Sequence, residues 1–227
     1  VCSSDLEPEA IVDWLESKMC STNELEGTTI LVTAGGTQES IDPVRYIGNR
    51  SSGKMGYAIA EQAVRMGAKV ILVSAPTSLP IPSGVDFISV DSAVSMQEAV
   101  EARYNDVNVV IMAAAVSDFR VLHKAEQKIK KMESMTIELV KNPDILQGLG
   151  SKKNHQILVG FAAETEHVIK YGQDKVARKN LDMLVANDVS KSNAGFNVDT
   201  NEGYFLYPDK EPKEMPNMKK SELARHI

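Results

Sequence analysis

The sequence Asp-Pro-Val-Arg-Tyr-Ile-Gly-Asn-Arg-Ser-Ser-Gly-Lys-Met-Gly, residues 42–56, decides how the rest of the chain is interpreted. It lies between an apolar strand pattern at residues 29–33 and an amphipathic helix pattern at residues 55–66. Glycines let backbone N–H groups approach an anion closely, and the start of a helix adds unpaired N–H donors and a positive dipole end. The stretch therefore predicts an anion cradle, most simply for a phosphate.

Two other interpretations of this cradle remain open from the residues alone. The segment Gly48-xxxx-Gly53-Lys54 is close to the P-loop of nucleoside triphosphatases, but Met55 stands where a P-loop has Ser or Thr for magnesium. A P-loop also follows its strand directly, whereas residues 34–47 intervene here. An ordinary surface loop is the plainer alternative, and the concentration of donors at a helix start argues against it.

The order of strand and helix patterns predicts an α/β fold. Strand patterns alternate with helix patterns, which is typical of a parallel sheet covered on both faces. We expect a Rossmann-like three-layer α/β/α architecture, with a mostly parallel six-stranded sheet and a late edge strand at residues 203–207. The predicted strands are residues 28–33, 69–74, 87–90, 107–112, 156–162 and 181–186, and the predicted helices are residues 55–66, 92–104, 164–180 and 219–226. Right-handed crossovers should bring the loops after the first and fourth strands together at one crevice.

Two further elements are predicted outside this alternation. Residues 135–140 alternate between apolar and polar side chains and predict another strand. Asn142 is expected to cap a helix that has Pro143 as its first residue. The lysine-rich residues 119–134 suit a segment that closes over phosphates, although a lysine run is usually a solvated face.

The composition limits the classes of function. The 227 residues suit one large α/β domain at residues 27–227, with residues 1–26 as a linker or the remnant of an upstream domain. A net charge of −6 does not favour nucleic acid or membrane surfaces as partners. No apolar run approaches the ~20 residues of a membrane span. Cys2 and Cys20 lie outside the main domain, which favours a reducing cytoplasm over a disulfide framework.

Several motifs, taken in order along the chain, resemble those of one enzyme family. Besides residues 42–56, they are Val-Thr-Ala-Gly-Gly-Thr (32–37), Ala-Ala-Ala-Val-Ser-Asp (113–118), Lys-Ile-Lys-Lys (128–131), Lys-Asn-Pro-Asp-Ile (141–145), Gly-Phe-Ala-Ala-Glu-Thr (160–165) and Ala-Asn-Asp-Val (186–189). Together they resemble phosphopantothenoylcysteine synthetase, the phosphopantothenate–cysteine ligase of coenzyme A synthesis. The resemblance covers residues 28–225.

The resemblance implies a reaction and partners. The family ligates 4′-phosphopantothenate to L-cysteine through an acyl-nucleotide intermediate, releasing pyrophosphate and then the nucleoside monophosphate. Bacterial members use CTP and eukaryotic relatives use ATP; the motif form here is of the bacterial kind, although the residues alone do not decide the base. Mg²⁺ is expected with the nucleotide, held mainly by phosphates and water, and no flavin is expected on this chain. The family forms homodimers that share active sites. Many members are fused behind a flavin-dependent decarboxylase, whereas a free-standing synthetase is the alternative.

The resemblance also implies roles for individual residues. Asn49 matches an asparagine that holds the acyl intermediate, Lys128 a lysine tied to triphosphate binding and acyl activation, and Arg45 an arginine near the substrate or its phosphate. Ser52, Gly53 and Lys54 are assigned more weakly to the phosphate cradle. The other nucleotide-contacting positions are Ala114, Ala115, Asp118, Asn142, Pro143, Asp144, Ile145, Phe161, Lys175 and Lys179. Plain core packing, helix capping or solvation would also account for most of these residues. No residues are predicted as direct protein ligands of a metal.

Two other classes of function stay open. An NAD(P)-dependent oxidoreductase with a degenerate glycine loop should show a Tyr-x-x-x-Lys pair or an acidic residue at the end of its second strand, and that strand instead ends in Ser74-Ala75-Pro76. A non-catalytic nucleotide-binding module could lose Lys128 or Asn49, and both are present.

Overall fold

A computed structural model describes residues 22–164, 166–188 and 198–227. Residues 1–21 of the predicted linker or remnant lie outside the described residues, as does Thr165. The strands are β1 (Thr29–Ala34), β2 (Gln38–Ser40), β3 (Tyr46–Gly48), β4 (Lys69–Ser74), β5 (Val85–Ser89), β6 (Val109–Met112), β7 (Phe119–Val121), β8 (Leu139–Lys141), β9 (Ile157–Glu164), β10 (Met183–Asp188), β11 (Thr200–Leu206) and β12 (Lys213–Lys219). The helices are α1 (Lys54–Arg65), α2 (Ala93–Glu101), α3 (Ile145–Ser151), α4 (Val168–Arg178) and α5 (Lys220–His226), with a 3-10 turn at Tyr104–Asp106.

Eight strands form the main sheet, in the order β12-β11-β10-β9-β6-β1-β4-β5. The six strands from β10 to β5 are parallel, as the alternating pattern predicts, and β11 and β12 are antiparallel. Successive residues of β1 enter different cores, with Leu31 in one and Ile30 and Val32 in the other. Residues of α2, α3 and α4 pack in the first core, and residues of α1 and α5 in the second. The three-layer α/β/α architecture is therefore confirmed.

The chain changes direction between β1 and β6. From β1 it builds outward through β4 to β5, and then it returns to place β6 on the other side of β1. Ligands of open α/β sheets bind at such a switch point, beyond the carboxyl ends of the strands. The two loops expected to meet there do so: Ala115 N donates to Gly35 O at 2.8 Å, and Thr37 N donates to Ala115 O at 3.2 Å.

Local patterns locate α1 and α2 well. The α1 helix ends at Arg65 with Met66 as its C-cap, and Gly67 follows with φ +90°, as expected of a residue in the left-handed region. At the start of α2, Ser92 accepts a hydrogen bond from Ser95 N and forms a capping box. The short-range chemistry of caps thus marks the end of α1 and the start of α2.

The structure corrects the predicted sheet edge. The strand predicted at residues 203–207 is not the edge strand, because β12 pairs along it and forms the edge. Pro216 and the charged residues of β12 obscure its strand pattern. A proline is tolerated there because an edge strand has backbone N–H groups that need no ladder partner.

Three other local predictions are also wrong. The strand predicted at 135–140 is limited to β8, which pairs with β7 outside the main sheet. Asp144, not Asn142, caps α3, and its carboxylate accepts from Gln147 N at 3.0 Å. The buried Asn142 instead donates its side-chain amide to Ser117 O at 2.8 Å. Glu164 ends β9, and α4 begins only at Val168.

Candidate active site

A cavity of about 330 Å³ lies at the carboxyl ends of the central strands. We call it the first cavity. One side is formed by residues 51–55, to which we restrict the name cradle from here on, together with the loop after β6 and the end of β9. The other side is completed by single residues of α4, β10, β11 and α5, which are Lys175, Asn187, Asn201 and Lys220. This volume is at the lower end of the range found for small-molecule sites. The predicted site residues that line it are Asn49, Ser52, Gly53, Lys54, Ala114, Ala115, Asp118, Phe161 and Lys175.

Glycines shape the cradle at the start of α1. Gly53 has φ +77°, and a Cβ atom there would lie 2.6 Å from Thr77 Cγ2. A Cβ atom on Gly56 would lie 2.8 Å from Thr33 O, so this glycine lets α1 pack directly on β1. Gly53 N donates to Ser51 Oγ at 3.3 Å. The first turn of α1 is thus held against the end of β1, where its N–H groups can face an anion.

Asn49 links the cradle to the loop after β6. Its side-chain nitrogen donates to Val116 O at 3.2 Å, and its side chain is exposed at the first cavity. A carboxamide can donate and accept at the same time. The hydrogen bond that Asn49 donates also fixes the direction of its carboxamide oxygen. The contact places Asn49 between the cradle and the strand-end alanines.

A second cavity of about 370 Å³ adjoins the first. Ala114, Val116, Asp118, Phe161 and Lys175 line both cavities, which therefore form one groove. The second cavity also contains the predicted residues Asn142, Pro143, Asp144, Ile145 and Lys179, together with Lys141 and Arg178. This concentration of cationic side chains suits an anion with several negative charges.

Two of these lysines form ion pairs in the described structure. Lys179 Nζ lies 2.9 Å from Asp144, and Lys175 Nζ lies 2.5 Å from Glu164. Burial alone would raise the pKa of Asp144, but the Lys179 ammonium and the Gln147 N–H group outweigh it and hold this pKa below its ordinary value. Asp144 therefore stays ionised and keeps Lys179 at the rim of the second cavity.

Arg45 and Lys128 lie outside both cavities. The Arg45 guanidinium pairs with Asp42 at 2.5 Å and donates to Ile129 O at 2.8 Å. Lys128 is exposed, within the segment of residues 122–138 that we call the flap. The flap is attached to the loop after β2, since Ala125 N donates to Ile41 O at 2.9 Å and Ile129 N donates to Asp42 Oδ2 at 3.1 Å.

Several residues that line the groove were not predicted. Asn187 lies in the quoted Ala-Asn-Asp-Val motif, but its spacing gave no role. Asn201 and Lys220 come from the last two strands and the terminal helix, far along the chain from the cradle. Arg178 lies on the same helix as Lys175 and Lys179. Arg178 could have been found from helical spacing, because it follows Lys175 by three residues and therefore lies on the same face of α4.

The family of the chain is shown by its similarity to known proteins. A profile of the family described as DNA/pantothenate metabolism flavoprotein C-terminal domain matches residues 25–227. The chain belongs to this family. It is 48% identical over 225 residues to the coenzyme A biosynthesis bifunctional protein CoaBC of Bacillus subtilis, and 45% identical over 225 residues to that of Escherichia coli K12. Each alignment covers 97% of the chain but 55% of the relative, so the chain spans about half the length of these relatives.

A solved structure agrees with this assignment. The chain is 46% identical to the crystal structure of the C-terminal domain of a CoaBC protein, with a TM-score of 0.78. The match covers 90% of the chain and 94% of that domain. The resemblance inferred from the motifs is therefore confirmed. Among the described residues, no helix is long and apolar enough to span a membrane, and no three His, Cys, Asp or Glu side chains group as metal ligands.

Asp42 offers a test of how the flap is held. The Arg45 guanidinium is the largest influence on this buried carboxylate, and with the N–H groups of Val44, Arg45 and Ile129 it holds the pKa of Asp42 far below its ordinary value despite burial. A depressed pKa means that the stabilisation is present above the unfolded pKa of about 3.9 and is lost as the pH falls below it. We expect Asp42→Asn to loosen the flap at neutral pH and acid to loosen it in the wild type.

The measurement is amide hydrogen exchange, corrected for intrinsic rates. The Ile129 amide should exchange about tenfold faster or more in Asp42→Asn, because a charged acceptor becomes neutral. Asp86→Asn is the matched control, since Asp86 is exposed on β5. Equal exchange at Ile129 in the two variants would contradict this role of Asp42.

Proposed function

We propose that the chain is an acid–amino-acid ligase of coenzyme A biosynthesis, which joins 4′-phosphopantothenate to L-cysteine using CTP. The observation that carries the proposal is that two adjoining cavities meet at the switch point of the sheet. One contains the cradle and Asn49, and the other contains Lys141, Arg178 and Lys179. A reaction between an acid and a nucleotide needs both molecules in one groove. The names of the relatives, which place them in coenzyme A biosynthesis, support the same role.

The chemistry follows from the poor reactivity of a carboxylate toward an amine. An oxygen of the phosphopantothenate carboxylate attacks the α-phosphorus of CTP, and pyrophosphate leaves with the electrons of the broken P–O bond. The product is an acyl-cytidylate. The cysteine amine then attacks the acyl carbon, loses a proton, and displaces CMP with the electrons of the C–O bond. Both steps depend on alignment and on neutralising phosphate charge, which are tasks for positioned side chains.

The groove offers groups for each task. Cationic side chains of the second cavity suit the triphosphate, and the small Ala114 leaves room for a flat base next to Phe161, since both line the two cavities. Asn49 stands at the junction with the cradle, where its carboxamide can hold the acyl group through one donor and one acceptor. CTP is preferred over ATP in this proposal because the relatives are bacterial.

Mg²⁺ is the cofactor that the reaction implies. The exposed carboxylate of Asp118 lines both cavities, and oxygen donors of this kind fit a hard cation that keeps most of its ligands as phosphate oxygens and water. When bound, the ion would neutralise charge on the triphosphate. Asp118 would hold it from the protein side, and the chain's lysines would share the remaining phosphate charge.

A homodimer with a shared active site is part of the proposal. The two small sheets, β2–β3 and β7–β8, and the flap carry large apolar side chains that are unusually exposed. These are Val44 at 61%, Tyr46 at 55%, Phe119 at 50%, Leu139 at 44%, Met132 at 58% and Met135 at 42%. Apolar surface of this kind commonly marks a protein interface. Arg45 lies in the same region and outside its own cavities, which suits a role in the partner's site.

The reaction itself tests the proposal. Protein incubated with CTP, Mg²⁺, 4′-phosphopantothenate and L-cysteine should form pyrophosphate, CMP and phosphopantothenoylcysteine in equal amounts. Omitting cysteine should leave one round of pyrophosphate release, whereas omitting phosphopantothenate should leave none. Replacement of CTP by ATP or UTP measures base choice. Absence of any nucleotide-dependent product would overturn the proposal, and oxidation of NAD(P)H by the protein would favour a reductase.

A further inference from the structure

Two asparagines that line the first cavity have carboxamide oxygens that find no hydrogen-bond partner among the described residues. Within the described part of the chain, Asn201 Oδ1 and Asn187 Oδ1 are buried and accept no hydrogen bond. Asn201 is only 2% exposed. Buried polar atoms normally have partners, because leaving one unpaired costs free energy. The sequence tolerates this cost at two neighbouring positions of one cavity, which indicates that a bound molecule supplies the missing donors.

A β-bulge places Asn201 at this point. The register between β11 and β12 shifts between Asn201 and Gly203, and such bulges redirect a side chain next to a binding site. A Cβ atom on Gly203 would collide with the carbonyl oxygen of Ala186, so the bulge is pressed against β10 just before Asn187. Asn201 Nδ2 lies 3.7 Å from Met55 Sδ in the cradle, and this contact orients the carboxamide. Its oxygen accepts no hydrogen bond from the described residues.

A buried lysine lies at the same end of the cavity. Lys220 is 7% exposed, and its ammonium donates to Val198 O at 2.5 Å. Burial lowers the pKa of Lys220, the nearby Lys54 ammonium lowers it further, and Asp199 opposes them. Lys54 itself pairs with Asp199 at 2.6 Å. Two lysine ammonium groups thus lie close together at this end of the cavity, where they would attract an anionic group of a ligand.

We propose that Asn187, Asn201 and Lys220 form a subsite for the phosphate-bearing arm of the acid substrate, as a deepening of the proposed function. The carboxamide oxygens accept from hydroxyl and amide N–H groups of the arm. Lys220, together with Lys54 of the cradle, binds its terminal phosphate. The subsite thereby selects an acid that carries neutral donors and a phosphate on one chain.

The charges argue against the amine substrate as the occupant. An ammonium group would satisfy the carboxamide oxygens, but it would enter a region where two lysine ammonium groups already repel one another. Neutral hydroxyl and amide donors meet no such repulsion. The same lysines favour a dianionic phosphate over the single carboxylate of an amino acid.

Asn201→Leu tests the neutral part of the subsite. It removes an unpartnered buried acceptor while keeping the branched shape and the number of side-chain heavy atoms, so the thermal midpoint should equal or exceed that of the wild type. The affinity for 4′-phosphopantothenate, measured by calorimetry without nucleotide, should fall about tenfold, which is the effect of one lost hydrogen bond and some desolvation. The KM values for CTP and cysteine should not change. A purely structural asparagine would instead lower the thermal midpoint and leave the affinity intact.

Lys220→Met tests the anionic end, with Lys219→Met as its control. Lys219 precedes Lys220 directly but is exposed on the edge strand. The preference for 4′-phosphopantothenate over pantothenate should fall about tenfold or more in Lys220→Met and stay unchanged in Lys219→Met. Asn187→Ala replaces Asn201→Leu if the latter does not fold.

The outcomes separate this proposal from the function on which it rests. Unchanged affinity in both asparagine variants, or a rise confined to the KM for cysteine, overturns the subsite even if the wild type ligates normally. Loss of affinity for phosphopantothenate in a protein that never ligates supports the subsite and overturns the ligase proposal. A wild type that does not bind phosphopantothenate overturns both.

Discussion

Lys128→Gln is expected to block pyrophosphate release from CTP and to lower turnover by about a hundred- to a thousandfold. The ammonium would neutralise charge that develops on the leaving pyrophosphate while the cytidylyl group is transferred to the acid, and glutamine keeps a donor but no charge. In the structure Lys128 is exposed and lies outside both cavities. Its neighbour Ile129 donates to Asp42, so the backbone beside Lys128 is anchored to the loop after β2.

The measurement is a continuous pyrophosphate assay with all substrates present. Lys124→Gln is the matched control, because Lys124 is exposed in the same flap and is adjacent to the anchored Ala125. It should keep nearly full activity. The KM for CTP in Lys128→Gln separates binding from activation, since a loss confined to kcat indicates an interaction made in the transition state. Normal pyrophosphate release in Lys128→Gln would remove Lys128 from the activation step.

Asn49→Asp is expected to separate the two halves of the reaction. Activation should continue, so one equivalent of pyrophosphate should form per active site. Amide formation should then slow by about a hundredfold or more, because aspartate has no N–H group to hold the acyl intermediate. The acyl-cytidylate should accumulate and be detectable by mass spectrometry of the quenched reaction. CMP should appear only slowly.

The variant also removes a contact in the resting protein, so a control is needed. Asn49 Nδ2 donates to Val116 O, and a carboxylate there would face that carbonyl oxygen. An unchanged KM for CTP would show that the groove keeps its shape. Asn154→Asp makes the same chemical change at an exposed residue just before β9, at the amino ends of the parallel strands and away from the groove, and should have no effect. Normal amide formation in Asn49→Asp would contradict the assigned role.

The parts of the fold that follow from short-range chemistry could be predicted. The apolar runs of β1, β4 and β6 and the capping of α1 and α2 depend on neighbouring residues, and the alternation of strands and helices then limits the topology. The edge strand β12 could not be found, because Pro216 is acceptable only at an edge and the sequence does not state where the edge lies. Asn142 satisfies the pattern of a cap, but burial beside Ser117 gives its side chain a different partner.

The residues of the candidate site likewise form two groups, those that local motifs predict and those that only the tertiary fold brings to the groove. Motifs near the cradle and the strand ends identify residues that the fold does bring to one groove, including Asn49, Asp118 and Phe161. Asn201 and Lys220 reach that groove only through a β-bulge and the pairing of the last two strands, which are long-range features. No local spacing could have predicted them.

A crystal structure with CTP and Mg²⁺ bound tests the central claim most directly. The account predicts the nucleotide in the groove where the two cavities meet, with its base near Ala114 and Phe161, its phosphates near Lys175 and Lys179, and the flap closed so that Lys128 approaches them. A nucleotide bound elsewhere, with Asn49 and Lys128 far apart and both directed into solvent, would contradict it.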